Sequence, residues 1–156
     1  MKNVFFLFLT LFFYSLTIES QNISDNAIGL RLGDSNGFGA EVSYQRAILN
    51  NNRLELDLGW RDGNNFSAFR FAGIYQWVYL LDGNFNWYVG GGGGIATFNV
   101  DDGDNNTGFF VAGNIGIEYD FDIPLLISLD FRPELGFAGF NSDLDLDIAL
   151  GLRYQF

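Results

Sequence analysis

Two carboxylates near the end of the chain, Asp145 and Asp147, stand two residues apart and are the clearest catalytic candidates in the sequence. In an extended strand they share a face about 7 Å apart, a separation that suits the paired carboxyl groups of a glycosidase. The sequence contains no histidine, which excludes Ser-His and Asp-His catalysis, and no cysteine, which excludes disulfides and a thiolate metal site. An enzyme would have to work with carboxylates alone, so we predict no enzymatic activity.

Most other charged residues alternate with apolar ones, which brings arginines and carboxylates together on one face. The predicted charge network consists of Arg31, Glu41, Asp57, Arg70, Asp130, Arg132, Asp147 and Arg153. The same face also receives Arg61, Glu55, Glu118, Asp120, Glu134 and Asp145, so that five arginines meet nine carboxylates. We place Asp147 at the centre of this network, between Arg132 and Arg31. A structural polar plug and a gated ion pathway are both compatible with it, and we favour the plug because buried arginines need carboxylate partners.

A polar segment at 101–107 is the only candidate for a metal site. Asp102, Asp104 and Asn106 resemble the start of a calcium loop, but the glycine comes at 108 and the closing glutamate is missing. We therefore predict a hairpin tip with at most weak affinity for divalent ions. The two segments that flank it are expected to be the longest, so the hairpin at 98–110 should protrude and offer an unknown protein partner a site for strand addition. No cofactor is predicted, since the glycine run at 90–94 is followed by neither the Lys-Ser/Thr nor the helix of a phosphate loop.

The elements that position these residues are predicted to be β-strands, because apolar side chains recur at every second position. From Leu144 to Phe156, apolar residues alternate with polar or small ones over thirteen positions without a break. Seven earlier segments repeat the pattern less strictly, near 27–33, 37–47, 53–62, 66–80, 85–100, 108–121 and 125–140. Clusters of Asp, Asn, Gly and Pro separate the segments, as in hairpin turns. The sequence therefore predicts an all-β fold, an eight-stranded antiparallel up-and-down transmembrane β-barrel.

The apolar face is expected to point outward, toward lipid. It carries Leu, Ile, Phe, Tyr and Trp on nearly every segment, which is more volume than the interior of eight strands can hold. Aromatic residues gather near the segment ends, where a membrane interface favours them. Because unpaired backbone groups are costly in hydrocarbon, the sheet should close on itself. Pro133 lacks an N–H group, so we expect either a bulge near 132–134 or a position above the bilayer.

The beginning of the chain has the layout of a signal peptide. Lys2 precedes an apolar run from Val4 to Tyr14, which is shorter than the roughly 20 residues that a membrane-spanning helix needs. We therefore predict a signal peptide at 1–20 and a barrel at 21–156. The barrel segment has seven arginines and no lysine against eighteen carboxylates, a balance that excludes binding to nucleic acid.

The residues from 21 to 156 resemble the small outer-membrane barrels of Gram-negative bacteria, of the OmpX and OmpA transmembrane-domain type. The most specific element is the last strand, whose Tyr154 and Phe156 look like the terminal aromatic signal that the barrel-assembly machinery reads in that class. The resemblance implies location in the outer membrane, contact with its lipids, termini in the periplasm, and outward-facing loops near 34, 63, 101 and 141.

The function expected from these features is structural. We predict a non-enzymatic barrel that contributes to membrane integrity or binds a partner through its extracellular hairpins. A narrow gated channel of porin type is the alternative. A lipid or glycan enzyme that depends on carboxylates comes third, because the sequence has no histidine.

Overall fold

The computed structural model describes residues 23–33, 39–63, 66–100, 106–137 and 144–156, so the predicted signal peptide lies outside the described residues. The strands are β1 (Asn26–Leu32), β2 (Ala40–Leu49), β3 (Asn52–Gly63), β4 (Phe66–Asp82), β5 (Phe85–Val100), β6 (Asn106–Asp120), β7 (Leu125–Phe137) and β8 (Leu144–Gln155). Each pairs antiparallel with the next, and β8 pairs with β1. The predicted eight-stranded antiparallel barrel is confirmed. Within these ranges no helix is long and apolar enough to span a membrane.

The register of the barrel determines how steeply its strands are tilted. We followed paired residues from strand to strand around the barrel, starting at Gln155 of β8 and passing first to Ala27 of β1. The path returns to β8 at Asp145. This displacement of ten residues (155 minus 145) is the shear of the barrel. With eight strands about 4.8 Å apart and a rise of about 3.3 Å per residue, this shear corresponds to a tilt of about 40°. Residues on distant strands can therefore lie at the same height in the interior.

The two faces of the sheet differ as the alternation predicts. On β8, Ile148 is 65% exposed, whereas its neighbours Asp147 and Ala149 are each 1% exposed. The same alternation of exposed and buried residues runs through β6 and β7. Most large apolar side chains are thus outside and most charged ones inside, the reverse of a soluble barrel.

One end of the barrel carries both chain ends of the described structure, residues 23–25 and Phe156, and tight connections at 50–51, 83–84 and 121–124. We call it the terminal end. Gly83 adopts a φ of 54°, a left-handed conformation that glycine reaches without a Cβ clash, and a register shift lies beside it between Leu80 and Asp82. These connections hold neighbouring strands close together at this end.

Pro133 does not produce the expected bulge. The ladder between β6 and β7 pairs Ala112 with Glu134 and resumes with Ile115 opposite Phe131, so two residues intervene on each strand. On the other side, Pro133 pairs with Leu146 in unbroken register. The missing N–H interrupts the β6–β7 ladder without inserting a residue, and the glycine opposite, Gly113, leaves room for the ring.

The strand lengths correct one expectation. The longest strand is β4 with 17 residues, followed by β5 with 16 and β6 with 15. The tall part of the wall is therefore β4 to β6, and the prediction that β5 and β6 are the longest was wrong. The tip of the β5–β6 hairpin, 101–105, lies outside the described residues.

Candidate functional site

The interior of the barrel is filled by charged side chains from the inward positions of every strand except β5, which has no charged residue. Its buried charged residues in the described ranges are Arg31, Arg53, Arg70, Arg132 and Arg153 with Glu41, Glu55, Asp57, Glu118, Asp130, Glu134 and Asp147. Seven carboxylates thus face five arginines. Burying an ion is costly unless it is paired and hydrogen-bonded, so the pairing decides whether this interior is stable.

Arg31 on β1 organises the first group of ion pairs. Its Nη2 lies 2.6 Å from Asp130 Oδ1, and its Nη1 lies 3.1 Å from Glu41 Oε2 and 2.7 Å from Asp147 Oδ2. Glu41 is shared, because its other oxygen pairs with Arg70, which also reaches Glu134. Two arginines and four carboxylates therefore form one continuous group that crosses the interior.

Glu55 on β3 is the hub of a second group. Its two carboxylate oxygens accept from Arg132 Nη2 at 2.6 Å and from Arg153 Nη2 at 3.0 Å. Gln45 donates a further hydrogen bond to Oε2 at 2.5 Å. Arg132 also lies 2.8 Å from Asp57 Oδ2. Glu55 therefore holds together side chains from four strands, β2, β3, β7 and β8.

Arg153 has neutral partners as well as Glu55. Its Nε and Nη2 donate to Ser43 Oγ at 3.0 and 2.9 Å, and its Nη1 donates to Ser128 Oγ at 2.8 Å. Every nitrogen of this guanidinium consequently has an acceptor, which a buried arginine requires.

A third group lies near the terminal end, around Arg53. Its two terminal nitrogens bind both oxygens of Glu118 at 3.1 and 2.6 Å, and its Nε donates to Gln76 at 2.6 Å. Gln76 donates in turn to Asn114 at 2.8 Å, and Asn114 donates to Asp130 at 3.3 Å. This chain of amides connects the third group to the first.

Aromatic rings complete the packing around the arginines. The guanidinium carbon of Arg53 lies 4.8 Å from the ring centroid of Tyr88, and that of Arg70 lies 4.6 Å from the ring of Phe110. Tyr88 is fully buried and stands opposite Gly116, where a Cβ would come within 2.5 Å of its ring. The glycine provides the space that the tyrosine occupies.

This arrangement has the properties of a closed polar core. At the terminal end, a cavity of about 10 Å³ lies among Arg53, Glu118 and Gln155, which is space for about one water molecule. Some polar atoms nevertheless lack a hydrogen-bond partner among the described residues: Arg132 Nε and Nη1, Arg70 Nε, Tyr88 Oη, Glu134 Oε2 and both oxygens of Asp57. The core is therefore densely paired, with a small set of unsatisfied groups.

The structure places all eight predicted network residues in the interior, each at most 2% exposed. Asp147 contacts Arg31 as the sequence suggested, but the ion pairs of Arg132 run to Glu55 and Asp57. The predicted position of Asp147 is therefore confirmed for its contact with Arg31 and wrong for its contact with Arg132, and the second outcome has a physical reason. Arg132 and Asp147 are neighbours in register, yet the tilt brings Arg132 to a height where it can reach the carboxylates of β3 across the interior.

Arg53 is absent from the predicted network, and Glu55 has no special role in it. Arg53 shares its face with Glu55 and Asp57, so extending the alternation of β3 back by one step would have found it. The hub role of Glu55 carries no such signal, since it depends on contacts between strands that lie far apart in sequence. Arg61, which the prediction counted among the interior cations, lies in β3, but its side chain is outside those described.

The other candidates are less informative. Asp145 is half-buried beside the ion-paired Asp147, so a freely accessible carboxylate pair is not present there. Asp102 and Asp104 lie outside the described residues, and Asn106 is an exposed residue at the start of β6. Among the residues that the structure describes, no group of three or more potential ligands could hold a metal ion.

Aromatic side chains from β4, β5, β6 and β8 form a partial belt on the outside of the terminal end. Tyr79 stacks on Trp87 with ring centroids 4.8 Å apart, and Tyr119 makes an edge contact with Phe85 at 4.7 Å. Phe156 is 61% exposed and lies 6.3 Å from the ring of Tyr154. Such a belt is typical of the membrane–water interface.

Comparison with solved structures places this fold among transmembrane barrels. Neisserial surface protein A is 14% identical with a TM-score of 0.56, and the match covers 84% of this chain and 94% of that one. The N-terminal β-barrel domain of OprF from Pseudomonas aeruginosa is 13% identical with a TM-score of 0.64, covering 88% of this chain and all of that domain. A chain from the de novo design of transmembrane β-barrels is 15% identical with a TM-score of 0.54, covering 88% and 100%.

No family model matches the sequence, and no curated protein matches it. At 13 to 15% identity, the likeness to the three structures shows the fold alone. At the level of the fold, the predicted resemblance to small outer-membrane barrels is confirmed.

Proposed function

We propose that the chain is a structural barrel of the bacterial outer membrane whose interior is closed to ions. The observation that carries this proposal is the interior network, in which five buried arginines are all ion-paired with buried carboxylates. Eight strands leave an interior just wide enough for side chains. Side chains joined from wall to wall occupy the space that an ion would need.

The exterior supports a place in the membrane. Large apolar side chains such as Leu144, Leu146 and Leu150 are about half exposed or more on a single strand. Soluble proteins rarely expose contiguous apolar surface beyond a few hundred Å². A belt of this kind, edged by aromatic rings at the terminal end, is stable only against lipid, and the outer membrane is where natural barrels of this fold span a bilayer.

A narrow gated channel is the second candidate, and one observation favours it. Among the described residues, two nitrogens of Arg132 have no hydrogen-bond partner, and the fully buried Asp57 is ion-paired with Arg132 but accepts no hydrogen bond at either oxygen. Charged side chains with unsatisfied hydrogen-bonding atoms can exchange ion-pair partners, and such an exchange could open a path for ions through the interior. The surplus of two carboxylates would make such a path prefer cations.

Conductance in a planar lipid bilayer separates the two. We expect the refolded barrel to give no reproducible openings above the lipid background at either polarity, while a porin inserted in parallel conducts. Heat-dependent migration in detergent gels verifies that the inserted protein is folded. Reproducible, voltage-dependent openings of the folded protein would replace the structural proposal with the channel.

The remaining roles are proposals of the same kind. We assign no catalytic activity, since Asp147 is held by Arg31 and the sequence offers no histidine to act as a base. The hairpin at 98–110 is proposed to bind a protein partner, because β5 and β6 belong to the tall side of the wall. Tyr154 and Phe156 are proposed as the signal for the barrel-assembly machinery, which the terminal position and exposure of both rings support.

A further inference from the structure

One arginine differs from all the others whose side chains the structure describes. Arg46 on β2 is exposed on the outer face near the terminal end, whereas the five interior arginines are buried and ion-paired. Arg46 forms no ion pair with any described carboxylate. The chain has a net charge of −11, so carboxylates are abundant in it. The guanidinium of Arg46 is nevertheless available to bind an anion from outside the protein.

A second donor lies beside it. Asn26 of β1 stands directly opposite Arg46 in the register, which places their Cβ atoms about 5 Å apart on the same face. The Oδ1 of Asn26 accepts a hydrogen bond from the Tyr44 hydroxyl at 2.7 Å, and its amide nitrogen has no described partner. The guanidinium and the amide are therefore adjacent donors, with Tyr44 holding the amide in orientation.

The next outward-facing side chains along both strands are apolar. Ile48 follows Arg46 on the outer face of β2 and is 49% exposed, and Ile28 follows Asn26 on β1 and is 45% exposed. On the same outward row, Arg46 pairs with Leu54, which pairs with Tyr75. An anion bound here would therefore lie against the edge of the lipid-facing belt, which suits the headgroup of an amphiphile better than a free ion.

We propose that Arg46 and Asn26 form a binding site for the phosphodiester of a phospholipid in the leaflet at the terminal end. A phosphodiester presents two oxygens that can accept from the guanidinium and the amide together. Its acyl chains would lie along Ile28 and Tyr44, the next outward-facing pair toward the middle of the barrel. This site rests on the proposed place of the barrel in a membrane and adds a specific lipid contact to it.

Native mass spectrometry of the folded barrel tests the site, with phosphatidylglycerol as the probe and an uncharged galactosyl diacylglycerol of the same acyl chains as the reference lipid. We expect Arg46→Gln to weaken retention of phosphatidylglycerol about fivefold, the effect of about one cationic contact to an anionic lipid. Retention of the galactolipid should not change. Asn26→Asp should weaken phosphatidylglycerol retention as well, because the new carboxylate would pair with Arg46.

Asn50→Asp is the matched control, since it makes the same change in net charge at an exposed turn residue of the same end. It should leave retention close to that of the wild type. Equal retention by Arg46→Gln and wild type, or an equal loss in Asn50→Asp, would overturn the site. Liposome insertion of each variant is measured separately and reports on the proposed function, so a failure to insert is distinguished from a loss of lipid selectivity.

Discussion

The hub position of Glu55 allows a quantitative test of the interior network through the substitution Glu55→Gln. The amide keeps the size of the side chain and can still bond to Gln45, but it removes the charge that Arg132 and Arg153 share. Loss of one partner from a buried ion pair usually costs about 3 to 5 kcal/mol, because the other charge remains buried. Here each arginine keeps a further partner, Asp57 or the two serines, so we expect about 2 to 3 kcal/mol.

Glu134→Gln is the control for this substitution. Glu134 is also a buried glutamate, but among the described residues it pairs with Arg70 alone and one of its oxygens has no hydrogen-bond partner, while Arg70 keeps Glu41. We expect a cost of about 1 kcal/mol, the usual range for one hydrogen bond. The two substitutions change the net charge equally, so the difference between their costs in unfolding free energy measures the effect of the hub position of Glu55.

Reversible urea unfolding of the barrel in lipid vesicles, followed by tryptophan fluorescence, measures both values. With a slope of about 2 kcal/mol per M, Glu55→Gln should lower the midpoint by about 1 M and Glu134→Gln by about half as much. If the two variants unfold at the same midpoint, Glu55 is not a hub. A wild-type midpoint for Glu55→Gln would show that the ion pairs make no net contribution, as some buried pairs do not.

Two further predictions concern the outer face and the end of the chain. Ile148→Arg should destabilise the barrel by about 2 to 4 kcal/mol in the same unfolding assay if this site meets lipid near mid-depth. Ala149→Ser on the inner face should cost much less. Equal tolerance of the two substitutions would contradict the assigned faces. Phe156→Ala should slow assembly in cells, measured as a delayed appearance of the heat-modifiable form, while the rate of in vitro refolding into detergent stays near that of the wild type. An equal delay in cells and in detergent would indicate a packing role for Phe156 and not a recognition signal.

The inward or outward direction of a side chain could be predicted from the sequence, because period-two alternation determines it locally. Asp147 and Ile148 are adjacent, and their 1% and 65% exposures follow from that rule alone. The lack of histidine, cysteine and lysine in the barrel segment also limits its charged side chains to carboxylates and arginines.

Partners across the interior could not be predicted in this way. Arg31 binds Asp130, which is 99 residues away, because strand tilt brings β1 and β7 to similar heights. That height depends on the shear of the whole barrel, a quantity that no single strand encodes. Sequence reasoning paired Arg132 with its register neighbour Asp147, whereas the long arginine side chain reaches past that position to Glu55.

The glycine run of β5 shows how the interior charges constrain positions that carry no charge. Gly94 stands opposite Phe110, and a Cβ at Gly94 would approach the ring of Phe110 to 2.5 Å. That ring lies against Arg70, so a larger residue at Gly94 would displace the aromatic support of a buried cation. Gly116 stands in the same relation to Tyr88 and Arg53. The glycine run only blurs the alternation of β5 in the sequence, but in the barrel Gly94 and Gly116 leave the space in which aromatic rings pack on arginines.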